Sequence, residues 1–294
     1  MSLYNRERAF SLGLITPVTI FVLVFAIIPI CYSFYLSMHR IIMGLPGLGE
    51  PFVGLENYRR FLSDRVALRA LVNTVAFVAI STFFEILFGL LIALVIHQRF
   101  KGRGLVRAAV LIPWAIPTVV SSQLWRFIFN DKYGLVNFLF YGQNTQAYKA
   151  FLAHPFYAFT AIVVADVWKT SSFAALLLLA GLQTIPEELY ESARIDGAGA
   201  WERFRRITLP LLRPAILVAL LFRTLDAFRV FDLVFVMTQG GPADSTNVLQ
   251  YYGYKKIFAE GMLGYGSAIS VVVFFVSFAV AMLYIRLIGR RMFG

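Results

Sequence analysis

The chain is poor in what soluble enzymes are made of. Of its 294 residues only 15% are charged, three are histidine and one is cysteine. A soluble domain carries roughly 25% charged residues. Cys31, standing alone, excludes an internal disulfide and a thiolate metal cluster, and the residue before it, Ile30, is not the small residue that precedes a lipid-modified cysteine. It reads as a thiol buried in a helix. His39, His97 and His154 are scattered near the ends of apolar stretches and form no metal-ligand spacing or nucleophile–base pair. No G-x-x-x-x-G-K-[ST] phosphate loop is present, so the chain is not itself an ATP-driven motor.

What is present is apolar. Apolar and aromatic residues make up 59% of the chain and the mean hydropathy is +0.73. Six stretches reach the ~20 residues that a bilayer-spanning helix needs. They lie near 9–38, 70–96, 106–130, 155–182, 211–239 and 261–288. Little sequence separates them, which predicts one all-α membrane domain over 1–294. The first stretch follows Arg6 and Arg8 but is too long for a signal peptide's apolar region, so it reads as an uncleaved span.

The net charge of +11 fits loops held on one side of a membrane rather than a nucleic-acid surface. With six spans and the N-terminus inside, 14 basic residues fall on the inner side and 9 on the outer, the other four lying in or beside spans. The inner set includes Arg6, Arg8, Arg290 and Arg291, and the positive-inside rule then favours both termini inside. Outside, Glu56 to Arg69 reads as a surface helix with Phe61, Leu62, Val66 and Leu68 toward lipid. Pro113 and Pro117 are expected to bend or break span three unless neighbours satisfy the freed carbonyls.

Charges inside the spans are the candidates for function. Arg223, Asp226, Arg229 and Asp232 recur every three residues, and Asp166 and Lys169 repeat that spacing in span four. On one helix such residues pair along a drifting stripe. A charge at mid-membrane costs about 2.5–3.5 kcal/mol on the gentlest scale, so the stripe must face protein or water. Ion pairs that lock helices and a hydrophilic pathway are both consistent with it.

The segment 186–210 interrupts this pattern. Pro186 suits the first turn of a helix, Glu187 and Glu188 complement its dipole, and Glu191 is spaced to pair with Arg194. Gly197 and Gly199 permit left-handed turn geometry. A second short helix follows from Ala200 to about Ile207, with Trp201 and Phe204 on a buried side, and Pro210 marks the return to the membrane.

Glu191-Ser192-Ala193, Gly197 and Ile207-Thr208-Leu209-Pro210 together resemble the EAA loop of permease subunits in binding-protein-dependent ABC importers; Ser192 replaces the pattern's middle alanine. Phe52 to Tyr58, Asn73-Thr74, Pro113-Trp114 through Pro117, Asp196-Gly197-Ala198 and Thr238-Gln239-Gly240-Gly241-Pro242 resemble the carbohydrate-uptake branch of that family. The run Arg223 to Asp232 is most similar to subunits that carry trehalose or maltose.

The resemblance implies a type I importer permease in a bacterial or archaeal cytoplasmic membrane. It implies a second, homologous permease, two ATPase subunits that hold ATP and Mg, and an extracytoplasmic sugar-binding protein. The chain itself would bind membrane lipid but no cofactor and no nucleic acid. Glu191, Ser192, Ala193, Asp196, Gly197, Ile207, Leu209 and Pro210 would form the coupling element. Span five would meet the sugar through Arg223, Thr224, Asp226, Ala227 and Val230, with Arg229 behind them. Glu85, Gln123, Trp168 and Lys169 are supporting candidates. A proton-coupled secondary transporter, relaying through Glu85, Asp166 and Asp226, is the alternative; it predicts an inverted repeat that the sequence does not display.

Overall fold

A computed structural model describes the backbone of residues 3–45, 47 and 49–292, and the side chains of residues 12–45, 47 and 49–286. The side chains of Arg6, Arg8, Arg290 and Arg291, used above to orient the chain, and Pro46 lie outside the described residues.

The protein is helical, with two isolated β-bridges among the described residues. In chain order the α-helices are α1 (Leu3–Val22), α2 (Ile28–Ser37), α3 (Glu56–Ser63), α4 (Arg65–His97), α5 (Arg103–Ala115), α6 (Thr118–Ile128) and α7 (Leu135–Tyr141). Then come α8 (Pro155–Gln183), α9 (Glu187–Ile195), α10 (Ala200–Arg203), α11 (Leu209–Ala227), α12 (Asp232–Met237), α13 (Leu249–Tyr254) and α14 (Leu263–Met292). Among the described residues, five helical segments are long and apolar enough to cross a membrane: Leu12–Ser37, α4, α8, Ala200–Ala227 and Leu263–Arg286. The bent pair α5 and α6 supplies a sixth.

Two sets of residues pack as separate units. The first contains residues 1–64 and 252–274. Here α1 passes through a π-helical turn, Leu23–Ile27, into α2. Cys31 on α2 is exposed, against expectation. The amide of Asn57 donates to the carbonyls of Ser37 (2.8 Å) and His39 (3.0 Å), tying α3 to the end of α2.

The surface helix expected over 56–69 stops at Ser63, because Asp64 takes an extended backbone. The Asp64 carboxylate accepts from the hydroxyls of Tyr252 (2.5 Å) and Tyr265 (2.8 Å). Burial, together with that bond, holds the Tyr252 phenol above its ordinary pKa. Phe61 faces the protein at 4% exposure rather than lipid.

The second unit contains residues 65–251 and 275–294, and its core is the packing of α4, α8 and α11. Buried small residues are frequent on the two helices of the α4–α8 seam: Ala67, Ala70 and Ala93 on α4 and Ala158, Ala161, Ala165, Ala174 and Ala175 on α8 are all within 1% of fully buried. Without a hydrophobic driving force in lipid, the close approach that small residues permit is what lets dispersion hold helices together. Gly89 marks the tightest point, since a Cβ there would stand 2.7 Å from the Ala174 Cβ and 3.1 Å from the Ala175 nitrogen. Gly89→Val should destabilise the seam by about 1–3 kcal/mol, read as a lower melting midpoint of the purified protein. Gly104→Ala, where a Cβ meets nothing within 4 Å, should leave the midpoint unchanged or raised.

Span three is broken rather than merely bent, with α5 and α6 meeting at 89°. Span five departs from expectation at both ends. The helix runs unbroken from Ala200 to Ala227 instead of re-entering at Pro210. Pro210 is tolerated because it stands in the first turn of α11, just after a π-helical turn over Phe204–Thr208 that displaces the hydrogen-bond ladder. At the other end α11 stops at Ala227 and a new helix begins at Asp232, so 211–239 is not one span. Aromatic packing of Phe231 on Phe235 (centroids 5.3 Å apart) and of both on Tyr251 secures the break.

A charged cavity walled by three spans

The stripe that the spacing suggested holds in part, Arg223 pairing with Asp226 and Asp226 with Arg229, but the closest contact comes from another helix. The charges converge from three helices on one guanidinium. Arg223 of α11 donates from Nε to Glu85 Oε2 of α4 (2.6 Å) and from Nη1 to Asp226 Oδ2 (2.7 Å). Its Nη2 stands 3.9 Å from Asp166 Oδ2 of α8. Glu85 is fully buried and Arg223 is 3% exposed. Each ion shed its water on folding, at a cost that only close geometry recovers.

The cluster is asymmetric. Asp226 is held by Arg223 on one side yet remains 55% exposed at its side chain, and its second oxygen lies 3.5 Å from Arg229, which is 73% exposed. Asp232 opens α12, where the helix dipole favours a carboxylate.

Lys169 does not pair with Asp166 as their spacing suggested. Its ammonium donates to the carbonyls of Trp114 (3.1 Å) and Ile116. Those carbonyls belong to the broken end of α5, left without helical partners because α6, which would supply their N–H donors, turns away by 89° at Pro117. Lys169 is therefore the neighbour that makes the Pro117 break affordable in an apolar setting, a positive charge at a helix C-terminus.

These groups wall a cavity of about 130 Å³. Arg223, Asp226, Ala227, Arg229, Val230 and Lys169, all singled out from the sequence, line it. Four candidates do not. Glu85 lies wholly beneath Arg223. Thr224 points from the other side of α11 and shares a hydrogen bond with Tyr284 (3.1 Å). Gln123 is exposed away from the cavity. Trp168 packs edge-on against Trp125, centroids 5.7 Å apart. Thr118, Asp166, Thr170, Phe231, Asp232 and Leu233 line the cavity but were not singled out as ligands. Asp166 and Asp232 carried a signal, as acids within apolar stretches; Thr118 and Thr170 carried none.

The 186–210 segment forms a second candidate surface. Pro186 is the N-cap of α9 rather than its first residue, and Glu187 and Glu188 occupy the first turn. Gly197 has φ +82°, and Ala198 N–H reaches back to the Ala193 carbonyl (2.8 Å), the 6→1 bond of a Schellman turn. Gly199, at φ −68°, is not left-handed.

Glu191 and Arg194 form no ion pair; Arg194 Nε donates to the Tyr190 carbonyl instead (3.3 Å). Trp201, expected to be buried, is 71% exposed and stacks on Phe204, and Ile195 is 87% exposed. No element among the described residues covers them. Glu191, Ser192, Asp196 and Gly197 are exposed, and Ala193 is half-buried. Ile207, Leu209 and Pro210 are half-buried at the base of α11, with Ile207 against the core of α4, α8 and α11.

A multi-pass helical membrane protein, with a charged cavity walled by three packed spans and an apolar-tipped turn outside them, is built as a permease. The chain belongs to the family of binding-protein-dependent transport system inner membrane components, whose model matches residues 85–294. It is 45% identical to the trehalose/maltose transport system permease protein MalF of Thermococcus litoralis, over 97% of this chain and 95% of that protein. It is 41% identical to the trehalose transport system permease protein SugA of Mycobacterium tuberculosis, over 96% of this chain and 90% of that one. The same fold occurs in the crystal structure of a bacterial ABC transporter that imports alginate, with a TM-score of 0.83 at 23% identity and 98% of both chains covered. The protein is thus a multi-pass inner-membrane permease and not an enzyme; ATP hydrolysis belongs to partner subunits in this family.

Proposed function

We propose that this chain is a transmembrane subunit of an ATP-driven importer that carries a sugar, of the trehalose or maltose type, by alternating access. The observation that carries the reading is Asp226. Its carboxylate is fixed by a buried arginine yet half open to a cavity, on a chain that spans nearly the whole length of permeases named for those disaccharides. A sugar presents many hydroxyls and no charge. Asp226 accepts hydrogen bonds from them, Arg229 and Lys169 donate, and no covalent step is needed.

Pockets that enclose small ligands measure about 300–1,000 Å³. The 130 Å³ cavity is therefore one wall of a site that a second, homologous permease completes. Both termini lie inside in this reading, and an extracytoplasmic sugar-binding protein delivers the sugar. The Pro186–Pro210 segment faces the cytoplasm, where Ile195 and Trp201 enter a cleft of one of two ATPase subunits holding ATP and Mg. The chain binds no cofactor of its own. Membership in a binding-protein-dependent family speaks against the proton-coupled alternative.

The test is copurification followed by uptake. Mass measurement of the purified complex should find a second permease and two copies of an ATPase. In vesicles with the binding protein, Asp226→Asn should lower sugar uptake about tenfold or more, the worth of a hydrogen bond to a charged group. Parental uptake by that variant removes Asp226 from the site.

A further inference from the structure

The reading above leaves a mechanical question: how α9 moves the cavity wall. A side-chain hydrogen bond joins α9 directly to the foot of α11. The Tyr190 hydroxyl of α9 and Thr208 Oγ1 lie 3.0 Å apart. Thr208 is 5% exposed, and Tyr190 is half-buried against the core of α4, α8 and α11. In a helix a threonine hydroxyl ordinarily bonds back to the carbonyl four residues earlier. Thr74, Thr160 and Thr170 do so here, at 2.6–2.8 Å. Thr208 instead turns to Tyr190, and it closes the π-helical turn Phe204–Thr208.

A π turn is a one-residue fault in the helix ladder and recurs at functional sites. This one lies just before α11, where the helix can yield without breaking a run of ordinary bonds. From Thr208, α11 runs as one helix through Pro214 to Arg223, about 22 Å along the axis at 1.5 Å per residue.

Building on the ATP-driven reading, we propose that the Tyr190–Thr208 hydroxyl bond is the strut through which α9 displaces α11, making both positioning residues for transport. Neither touches the sugar or the exposed tip of the segment.

The test uses the whole complex, reconstituted in vesicles with its binding protein, and measures sugar moved per ATP hydrolysed together with the melting midpoint. Tyr190→Phe and Thr208→Val remove the bond from opposite ends with little change of shape. Each should lower the ratio about three- to tenfold, the weight of one hydrogen bond, with the midpoint near parental. The double variant should be no worse than either single one, and Thr208→Ser, which keeps the hydroxyl, should restore the ratio.

Parental ratios in both single variants overturn the strut and leave the importer reading standing. A fall in ratio that only accompanies a lower midpoint in both makes the bond packing, and also overturns it. A parental complex with no ATP-dependent uptake removes the importer reading and the strut together.

Discussion

Arg223→Ala is expected to cost more than any other single change in the spans, about 3–5 kcal/mol, the usual loss when one partner of a buried ion pair is removed. Glu85 would remain as a fully buried carboxylate whose Oε1 already lacks a partner, beside Asp166, whose Oδ2 lacks a hydrogen bond. The neighbouring cations do not replace it: Lys169 is committed to the Trp114 and Ile116 carbonyls, and Arg229, 73% exposed, meets Asp226 from its exposed side. The expected readout is loss of monodisperse complex on size exclusion.

Glu85→Gln combined with Arg223→Met removes both charges of the closest pair. It should recover assembly beyond the sum of the single effects. Uptake by that double variant should stay low, because Asp226 is then no longer held at the cavity wall. Recovery of both assembly and uptake would reduce the cluster to a helix lock.

Gly197→Val should separate ATP hydrolysis from transport. The residue stands at φ +82°, where a β-branched side chain is strained by about 1–3 kcal/mol. Nothing within 4 Å would meet its Cβ, so the effect is conformational and not steric crowding. Losing the left-handed turn breaks the Ala198–Ala193 bond and shifts α9 against α10, which carry the exposed Ile195 and Trp201. Sugar moved per ATP should fall about tenfold or more, in line with the lower part of that strain, while the spans keep their melting midpoint. Gly197→Asn, whose side chain tolerates the left-handed region, should retain most of the coupling. Equal losses in both variants would contradict the conformational account.

The apolar stretches, the break at Pro117 and the turn at Gly197 were legible because each is encoded within a few residues: hydropathy over a span, a missing donor, a missing Cβ. The pairing of the charges was not. Arg223 meets Glu85 across 138 positions, and Lys169 finds carbonyls freed at a helix break more than fifty residues away. Local spacing pointed instead to partners three residues apart, which holds only for Arg223–Asp226 and Asp226–Arg229.

The end of α11 at Ala227 has no proline or glycine to announce it, since aromatic packing around Phe231 fixes it. Pro210 misled in the other direction, because the π turn before it lets the helix continue. Exposure misled too: Trp201 was expected on a buried side of its short helix and stands open.

The most direct test of the central claim is the energy source of uptake. The complex, reconstituted in vesicles with its binding protein, is offered labelled trehalose or maltose with either ATP or an imposed proton gradient. The account predicts accumulation that requires ATP and the binding protein and is indifferent to collapse of the gradient. Uptake that follows the gradient and proceeds without ATP would contradict it.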